Sequence, residues 1–179
     1  MDKYYTVDIA GMKRDLLRCP LNDKLDIAAF IIFGDVELTI HSAKALIEKV
    51  PEFDFIVTPE AKSIPIAYEM SRQSGKKYFV VRKKPKLYMK EPVSVTVQSI
   101  TTKGEQTLIL DSVEGEQLRG KRVVILDDVI STGASLAAVE ELLKKFDANV
   151  VAKAAILAEG DAADREDITF LGVIPLIEK

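Results

Sequence analysis

Two adjacent carboxylates followed by a small, hydroxyl-rich turn form the stretch with the clearest chemistry in the sequence. Asp127 and Asp128 come directly after the apolar run 123–126, and a Ser-Thr-Gly turn follows at 131–133. Unpaired amides at a helix start and the helix dipole both favour an anion, so this turn suits a phosphate dianion. Two carboxylates beside a phosphate repel it unless they bind hydroxyl groups or a divalent cation on the same molecule. The stretch therefore predicts a site for a sugar phosphate that carries a metal-bound second group.

The elements around this stretch predict how its side chains are held. The run 123–126 is wholly apolar and mostly β-branched, which is typical of a central parallel strand covered on both faces. Ser135 begins a segment whose apolar residues recur at helical spacing, so the strand feeds a crossover helix. Open α/β sheets bind their ligands at the carboxyl ends of the strands, which is where the two aspartates lie.

The middle and the end of the chain alternate between strand and helix patterns. A helix capped by Thr39 comes first, and a second helix starts at Pro65, whose missing donor is harmless there. Further strands are predicted at 53–57, 77–81, 149–157 and 168–174. This order predicts an α/β fold with a parallel sheet built by right-handed crossovers.

Two smaller units accompany the predicted sheet. Residues 4–18 alternate around Gly11 as in a hairpin, and a short apolar strand follows at 27–33, so residues 1–38 are predicted to form an N-terminal subdomain beside a core of residues 39–179. Residues 93–100 and 106–110 read as a two-stranded flap with a polar tip that contains glycine, which predicts mobility.

Composition limits the class of protein. The chain has 179 residues, 47% of them hydrophobic and 30% charged, which predicts one soluble globular domain in the cytoplasm. No apolar run approaches the length of a membrane span, and no signal-like block follows the first residues. A single cysteine excludes an internal disulfide, a single histidine argues against a zinc site, and a net charge of −3 gives no general reason to bind nucleic acid.

The stretch 123–135 resembles, over its whole length, the signature with which type I phosphoribosyltransferases bind 5-phosphoribosyl 1-diphosphate (PRPP). The resemblance implies a twisted, mostly parallel sheet flanked by helices, with an N-terminal hood over the base and a β-flap. It implies that Asp127 and Asp128 bind the ribose hydroxyls and, through PRPP or water, Mg²⁺. The 5′-phosphate would be held by Ser131, Thr132, Gly133, Ala134 and Ser135.

Two further segments resemble the adenine phosphoribosyltransferase subgroup. Arg82, Lys83, Lys86 and Leu87 match its Arg-Lys-x-x-Lys-Leu element, and Thr58-Pro59-Glu60-Ala61 resembles the start of its pyrophosphate loop. The resemblance implies a pyrophosphate-binding set of Glu60, Ala61, Lys62, Ser63, Arg82, Lys83 and Lys86. Lys86 would also act with the two aspartates in catalysis. Lys62-Ser63 departs from the subgroup's Arg-Gly, and Ser63 lacks the backbone freedom of glycine.

Two regions of the sequence concern the recognition of the base: the flap, and Glu159 at the end of a predicted strand. In the family the flap closes over PRPP, which implies flap roles for Gln98, Ser99, Thr101 and Thr102. Adenine phosphoribosyltransferases carry a glutamate where this chain has Gln98, which cannot accept a proton. Glu159 follows the strand 149–157 and either faces the base or belongs to a surface turn.

The leading hypothesis is a Mg²⁺-dependent phosphoribosyltransferase that joins a purine-like base, adenine favoured, to PRPP and releases pyrophosphate in purine salvage. Hypoxanthine, xanthine or a non-purine base stay open because of the departures at Lys62, Ser63 and Gln98. The alternative is a non-catalytic regulator that senses PRPP through the same fold. The expected partners are PRPP and a base, with no nucleic acid and no membrane, and analogy with the family implies a homodimer.

Overall fold

The computed structural model of the protein describes residues 3–98 and 105–179. The predicted flap residues Ser99, Thr101 and Thr102 lie outside these ranges. In chain order the elements are β1 (Tyr4–Ile9), β2 (Met12–Pro20), β3 (Leu25–Ala29), α1 (Val36–Lys49), β4 (Phe55–Pro59), α2 (Ile64–Ser74), β5 (Lys77–Val81), β6 (Val93–Gln98), β7 (Glu105–Leu110), α3 (Ser112–Glu116), β8 (Arg122–Ile130), α4 (Ala134–Lys144), β9 (Asn149–Glu159), a 3₁₀ helix (Gly160–Asp164), β10 (Gly172–Ile174) and β11 (Leu176–Glu178).

A five-stranded sheet in the order β10-β9-β8-β4-β5 forms the centre of the fold, and every neighbouring pair in it is parallel. Residues 123–126 of β8 are at most 1% exposed. Apolar side chains pack on both faces of the sheet, with α1 and α2 on one face and α4 on the other. The prediction of a buried central parallel strand that leads into a crossover helix is therefore confirmed.

A four-stranded antiparallel sheet in the order β1-β2-β3-β11 lies beside the central sheet. The hairpin predicted around Gly11 is confirmed: this glycine has a φ of +88°, and its amide donates to the Asp8 carboxylate at 2.7 Å. Strand β3 ends at Ala29, four residues before the predicted end, because Phe30 and Ile32 turn into the core. The boundary between the N-terminal subdomain and the core at residue 38 stays a prediction. The last strand of this antiparallel sheet, β11, comes from the other end of the chain.

The first helix begins earlier than the sequence pattern indicates. The predicted cap at Thr39 is wrong, since α1 starts at Val36 and Asp35 is its N-cap. The Asp35 carboxylate accepts a hydrogen bond from the Leu38 amide at 3.1 Å, which satisfies one of the free donors of the first turn. Thr39 lies inside the helix, where its hydroxyl donates to the Asp35 carbonyl.

The remaining strand predictions differ in their success. The flap strands β6 and β7 pair antiparallel up to Gln98 and Glu105, as predicted. The strand predicted at 168–174 is shorter, because only Gly172–Ile174 pairs continuously with β9 while Thr169 makes an isolated bridge to Ala154. None of the helices in the described parts of the chain is long and apolar enough to cross a membrane.

Candidate active site

The turn between β8 and α4 provides a small polar recess. Gly133 is the N-cap of α4 with a φ of +79°, a left-handed conformation that strains any residue with a side chain. Gly133 offers no side chain to cap α4, and among the described residues the Ala134 amide donates to the Thr132 hydroxyl at a long 3.4 Å, so the first-turn amides stay largely available to a ligand. The recess has a volume of about 110 Å³ and is lined by Asp127 and residues 129–136. All five residues predicted to hold a phosphate line it, and the recess can accept an anion.

The two aspartates sit side by side at the carboxyl end of β8, within the hydrogen-bonded strand. Asp128 is 5% exposed, and its amide donates to the Asp127 carboxylate at 2.9 Å. Burial and the negative charge of Asp128 raise the pKa of Asp127 well above its ordinary value. The pair is thus electrostatically unfavourable by itself and suited to bind hydroxyl groups or a cation.

Lys62 supplies positive charge to this pair from the end of the neighbouring strand. Its ammonium lies 2.9 Å from Asp128 Oδ2, while its side chain remains 50% exposed. That carboxylate oxygen is buried and receives no well-directed hydrogen bond from the described residues. The register of β4 beside β8 produces this contact, and a buried hydrogen bond from the Thr58 hydroxyl to the Leu126 carbonyl holds the two strand ends together. The sequence pattern gave no signal for the contact.

A larger cavity of about 380 Å³ opens between the acidic pair and the loop after β4. Its lining contains both aspartates, the loop 60–63, Lys83 and Ser135. Cations and loop amides therefore face carboxylates across a space that can hold a charged ligand. Among the predicted pyrophosphate-binding residues, this cavity brings together Glu60, Ala61, Lys62, Ser63 and Lys83.

Glu60 holds the loop in place. Its carboxylate accepts the Lys83 amide at 2.7 Å and the Arg82 guanidinium at 3.3 Å. Burial tends to raise the pKa of Glu60, but these two hydrogen bonds, together with the charges of Lys86 and Arg82, outweigh burial and lower it. The peptide bond between Glu60 and Ala61 is cis.

Ser63 occupies its position without needing the backbone freedom of glycine. Its φ of −81° lies in the ordinary right-handed region. The side chain is 1% exposed, and its hydroxyl donates to the Pro59 carbonyl at 2.7 Å. Serine therefore fits the backbone at this position, and what its departure from glycine means for the ligand stays a prediction.

The other predicted cations lie outside the cavity. Arg82 stands behind Glu60, and its backbone pairs with Ile109 of the flap strand β7. Lys86 is exposed on the segment after β5, and its charge helps to lower the pKa of Glu60. The backbone of Gln98 pairs with Glu105 at the end of the described part of the flap.

A third cavity, of about 430 Å³, lies between the antiparallel sheet and the central sheet. Most of its wall is apolar, and the charged residues among its described lining are Lys62 and Glu159. Its lining residues are Ile27, Ala28, Ala29, Phe30, Ile31, Lys62, Val129, Ser131, Glu159 and Ile174. Glu159 is half-buried and lines this cavity, and its role toward the base stays a prediction. The resemblance implies an N-terminal hood over the base, but no pattern marked residues 27–31 as a cavity wall, because only the packing of two sheets creates the space.

The chain is similar to proteins that transfer phosphoribosyl groups. Residues 37–177 match the family model of the phosphoribosyl transferase domain. A hypoxanthine/guanine phosphoribosyltransferase of Methanococcus voltae is 37% identical over 126 residues, which cover 70% of this chain and 64% of that protein. The chain thus spans less than two thirds of that relative's length.

Two further relatives resemble a larger share of the chain. An adenine phosphoribosyltransferase of Thermosipho africanus is 30% identical over 151 residues, covering 82% of this chain and 84% of that protein. The crystal structure of an adenine phosphoribosyltransferase from Thermoanaerobacter pseudethanolicus superposes with a TM-score of 0.72 at 22% identity, covering 88% of this chain and 94% of that one. This likeness shows that the two proteins share a fold.

Proposed function

The chain belongs to the phosphoribosyl transferase family, and from that premise we propose that it transfers the 5-phosphoribosyl group of PRPP to a purine-like base and releases pyrophosphate. One observation carries the proposal. The acidic pair of β8, the phosphate-sized recess and the cavity lined by Lys62 and Lys83 adjoin one another through Asp127 and Ser135. A molecule with a phosphate, two hydroxyl groups and a diphosphate matches this sequence of subsites.

Each subsite has a separate task in the transfer. Asp127 and Asp128 accept hydrogen bonds from the ribose hydroxyls, and the turn before α4 anchors the 5′-phosphate. A ring nitrogen of the base then forms a bond to the anomeric carbon while the bond from that carbon to the diphosphate oxygen breaks. The electron pair leaves with pyrophosphate, the base releases its ring proton to solvent or to pyrophosphate, and Lys62 and Lys83 stabilise the charge that grows on the leaving group.

The donor set fits Mg²⁺ bound mostly through its ligand. Among the described residues, no group of three or more metal-ligating side chains could form an all-protein cage. The two aspartates offer carboxylate oxygens, one of them buried without a well-directed hydrogen bond. Mg²⁺ usually keeps several waters and takes one or two carboxylates plus phosphate oxygens. When bound, it supplies charge neutralisation for the diphosphate, and Asp127 and Asp128 would hold it through water or ribose oxygens.

We place the base in the third cavity, with adenine as the favoured substrate. The apolar wall from β3 suits the faces of a flat ring, and Glu159 offers a hydrogen-bond acceptor. The amino group of adenine can donate to this carboxylate, whereas the carbonyl oxygen of a 6-oxopurine would be repelled by it. The chain resembles both adenine and hypoxanthine/guanine phosphoribosyltransferases. We therefore propose adenine as the base separately from the transfer reaction itself.

The proposed homodimer has its own support. Apolar side chains on α1 and α2 remain exposed around a groove of about 440 Å³, among them Val36, Ile40 and Tyr68. A second copy that covers this groove would remove apolar area from water. Light scattering of the purified protein distinguishes a dimer of about twice 19.8 kDa from a monomer.

A pyrophosphate-release assay tests the activity. The protein is incubated with PRPP, Mg²⁺ and, in turn, adenine, hypoxanthine, guanine, xanthine, uracil or orotate. We expect release with adenine and much slower release by the Asp128→Asn variant. A Glu159→Gln variant should raise KM for the base and leave KM for PRPP unchanged, because only the base contacts Glu159.

Two results would change the proposal. Turnover with hypoxanthine or guanine in place of adenine keeps the reaction and overturns the base. Tight PRPP binding without turnover of any base replaces the enzyme with a PRPP-sensing regulator, an alternative that glutamine at position 98 favours.

A further inference from the structure

An arginine from a distant part of the chain occupies the space beside Gly133. A Cβ atom built on this glycine would lie 2.3 Å from Nη1 of Arg165. The guanidinium therefore packs directly against the backbone of the phosphate turn, on the one residue of that turn that has no side chain. The φ of +79° requires glycine at this position, and a side chain there would also displace the Arg165 guanidinium.

Arg165 is held in this place by its neighbours. It follows the 3₁₀ helix Gly160–Asp164, and its amide donates to the Ala162 carbonyl. Its Nε and Nη2 donate to the two carboxylate oxygens of Asp167 at 2.9 and 2.8 Å. This two-pronged pairing fixes the plane of the guanidinium. The third nitrogen, Nη1, makes no hydrogen bond to any residue in the described part of the chain and is the atom that meets Gly133.

The anchor continues to the helix that carries the turn. Asp167 also accepts the Lys153 ammonium at 2.8 Å, and Lys153 lies 3.1 Å from Glu140 on α4. Arg165 and Lys153 together hold the pKa of Asp167 well below its usual range, so this carboxylate stays charged. The ion pairs thus run from the body of α4, across β9, and back to the turn at the start of α4.

We propose that Arg165 is a positioning residue for the phosphate turn: its guanidinium, aimed by Asp167, packs on Gly133 and keeps the turn in the shape that binds the 5′-phosphate. The inference rests on the proposed function, since it concerns the same phosphate. Arg165 does not line the recess itself, so it acts through the turn rather than by touching the ligand.

If Arg165 acted through its charge alone, the Asp167→Asn variant would change phosphate binding in the opposite direction. If Arg165 acted only as a positive charge near the phosphate, Asp167→Asn would remove a neighbouring negative charge and strengthen phosphate binding. If Arg165 acts because Asp167 aims it, the same substitution frees the guanidinium and weakens phosphate binding. Asp167→Asn therefore separates the two roles.

The experiment is a double-mutant cycle on Gly133→Ala and Arg165→Ala, read as the dissociation constant for ribose 5-phosphate and as KM for PRPP. We expect Arg165→Ala to raise both by about tenfold, because a loosened turn misplaces its amides. The 5′-phosphate is bound equally well in the ground state and in the transition state, so we expect kcat to stay unchanged. Gly133→Ala should cost less in the Arg165→Ala background than in the wild type, because the clash with Nη1 is gone. Arg165→Lys should recover little, since lysine cannot form the two-pronged pair.

Arg119→Ala is the matched control, because Arg119 forms the same kind of two-pronged pair with Glu116 on α3 and takes no part in the site. Circular dichroism shows whether each variant is folded. Additive effects in the cycle, or tighter ribose 5-phosphate binding by Asp167→Asn, would overturn the positioning role while leaving the reaction intact. A wild-type protein that neither binds ribose 5-phosphate nor releases pyrophosphate would overturn both proposals.

Discussion

The two ends of strand β8 handle charge in opposite ways. At the amino end, Arg122 donates to Asp54 and Glu52, each at 2.8 Å. At the carboxyl end, Asp127 and Asp128 stand side by side, and within the described residues Lys62 is the single cation in ion-pair contact with them. The same strand therefore carries a matched cluster at one end and an unmatched pair at the other.

The pKa directions at the two ends show what this difference means. Hydrogen bonds from Arg122 lower the pKa of Asp54, so its charged form is favoured in the folded protein. Burial and repulsion raise the pKa of Asp127, so its charged form is disfavoured. The amino end contributes to stability, whereas the carboxyl end is unfavourable until a ligand provides hydroxyl groups and positive charge.

The strongest test removes one carboxylate at each end. We expect Asp128→Asn to lower kcat/KM for PRPP by about a hundredfold or more, because it loses a charged acceptor for a ribose hydroxyl at the reacting centre. Asp54→Asn, the control at the other end, should keep full activity. Equal losses from the two variants would remove the functional distinction between the ends.

The second prediction concerns stability and its pH dependence. Asp127→Asn should raise the free energy of unfolding at pH 7.5 by on the order of a few kcal/mol, because asparagine has no carboxyl group whose ionisation favours the unfolded state. The raised pKa means that the folded state retains a proton that the unfolded state has lost, so the wild type loses stability as pH rises above about 4. Urea denaturation at pH 4 and pH 7.5 should give a difference between variant and wild type only at the higher pH. A difference of equal size at both pH values would contradict this.

Substitution of Lys62 should affect PRPP binding less than substitution of Asp128 affects turnover. Lys62→Met removes the cation beside Asp128 and should raise KM for PRPP by about tenfold, while Lys62→Arg should retain most of the affinity. The side chain is half exposed, so solvent screens part of its charge. The variant should also raise the pKa of Asp127 further, because Lys62 lowers it in the wild type. Steady-state kinetics measure the first effect, and an unchanged KM would show that Lys62 serves only the ligand-free protein.

The smallest effect is expected at the amino end. Arg122→Ala should lower the thermal midpoint modestly and leave kinetic constants unchanged, because its partners lie at the surface and far from the cavities. High salt should shrink the difference from the wild type, since exposed ion pairs are screened. A kinetic defect in this variant would indicate that the two ends of β8 are coupled.

Short-range pattern explains which features were predictable. The strand at β8, the turn at Gly133 and the start of α4 depend on neighbouring residues, so the sequence predicted them and the structure has them. The helix cap was misplaced by four residues, because Asp35 and Thr39 are both chemically able to cap and only the backbone path selects Asp35. The roles given to the individual site residues remain predictions for the experiments above.

Contacts between distant segments were beyond the sequence. No periodicity in the sequence relates the residues that meet in three places. These are the ion pair of Lys62 with Asp128, the packing of Arg165 on Gly133 and the cavity beside Glu159. Thus the sequence by itself determined the acidic pair, the phosphate turn and the strand and helix that carry them, because local geometry follows from neighbouring residues. Only the tertiary structure decided which cations, which arginine and which apolar wall face them, because the order and register of the strands bring those residues together.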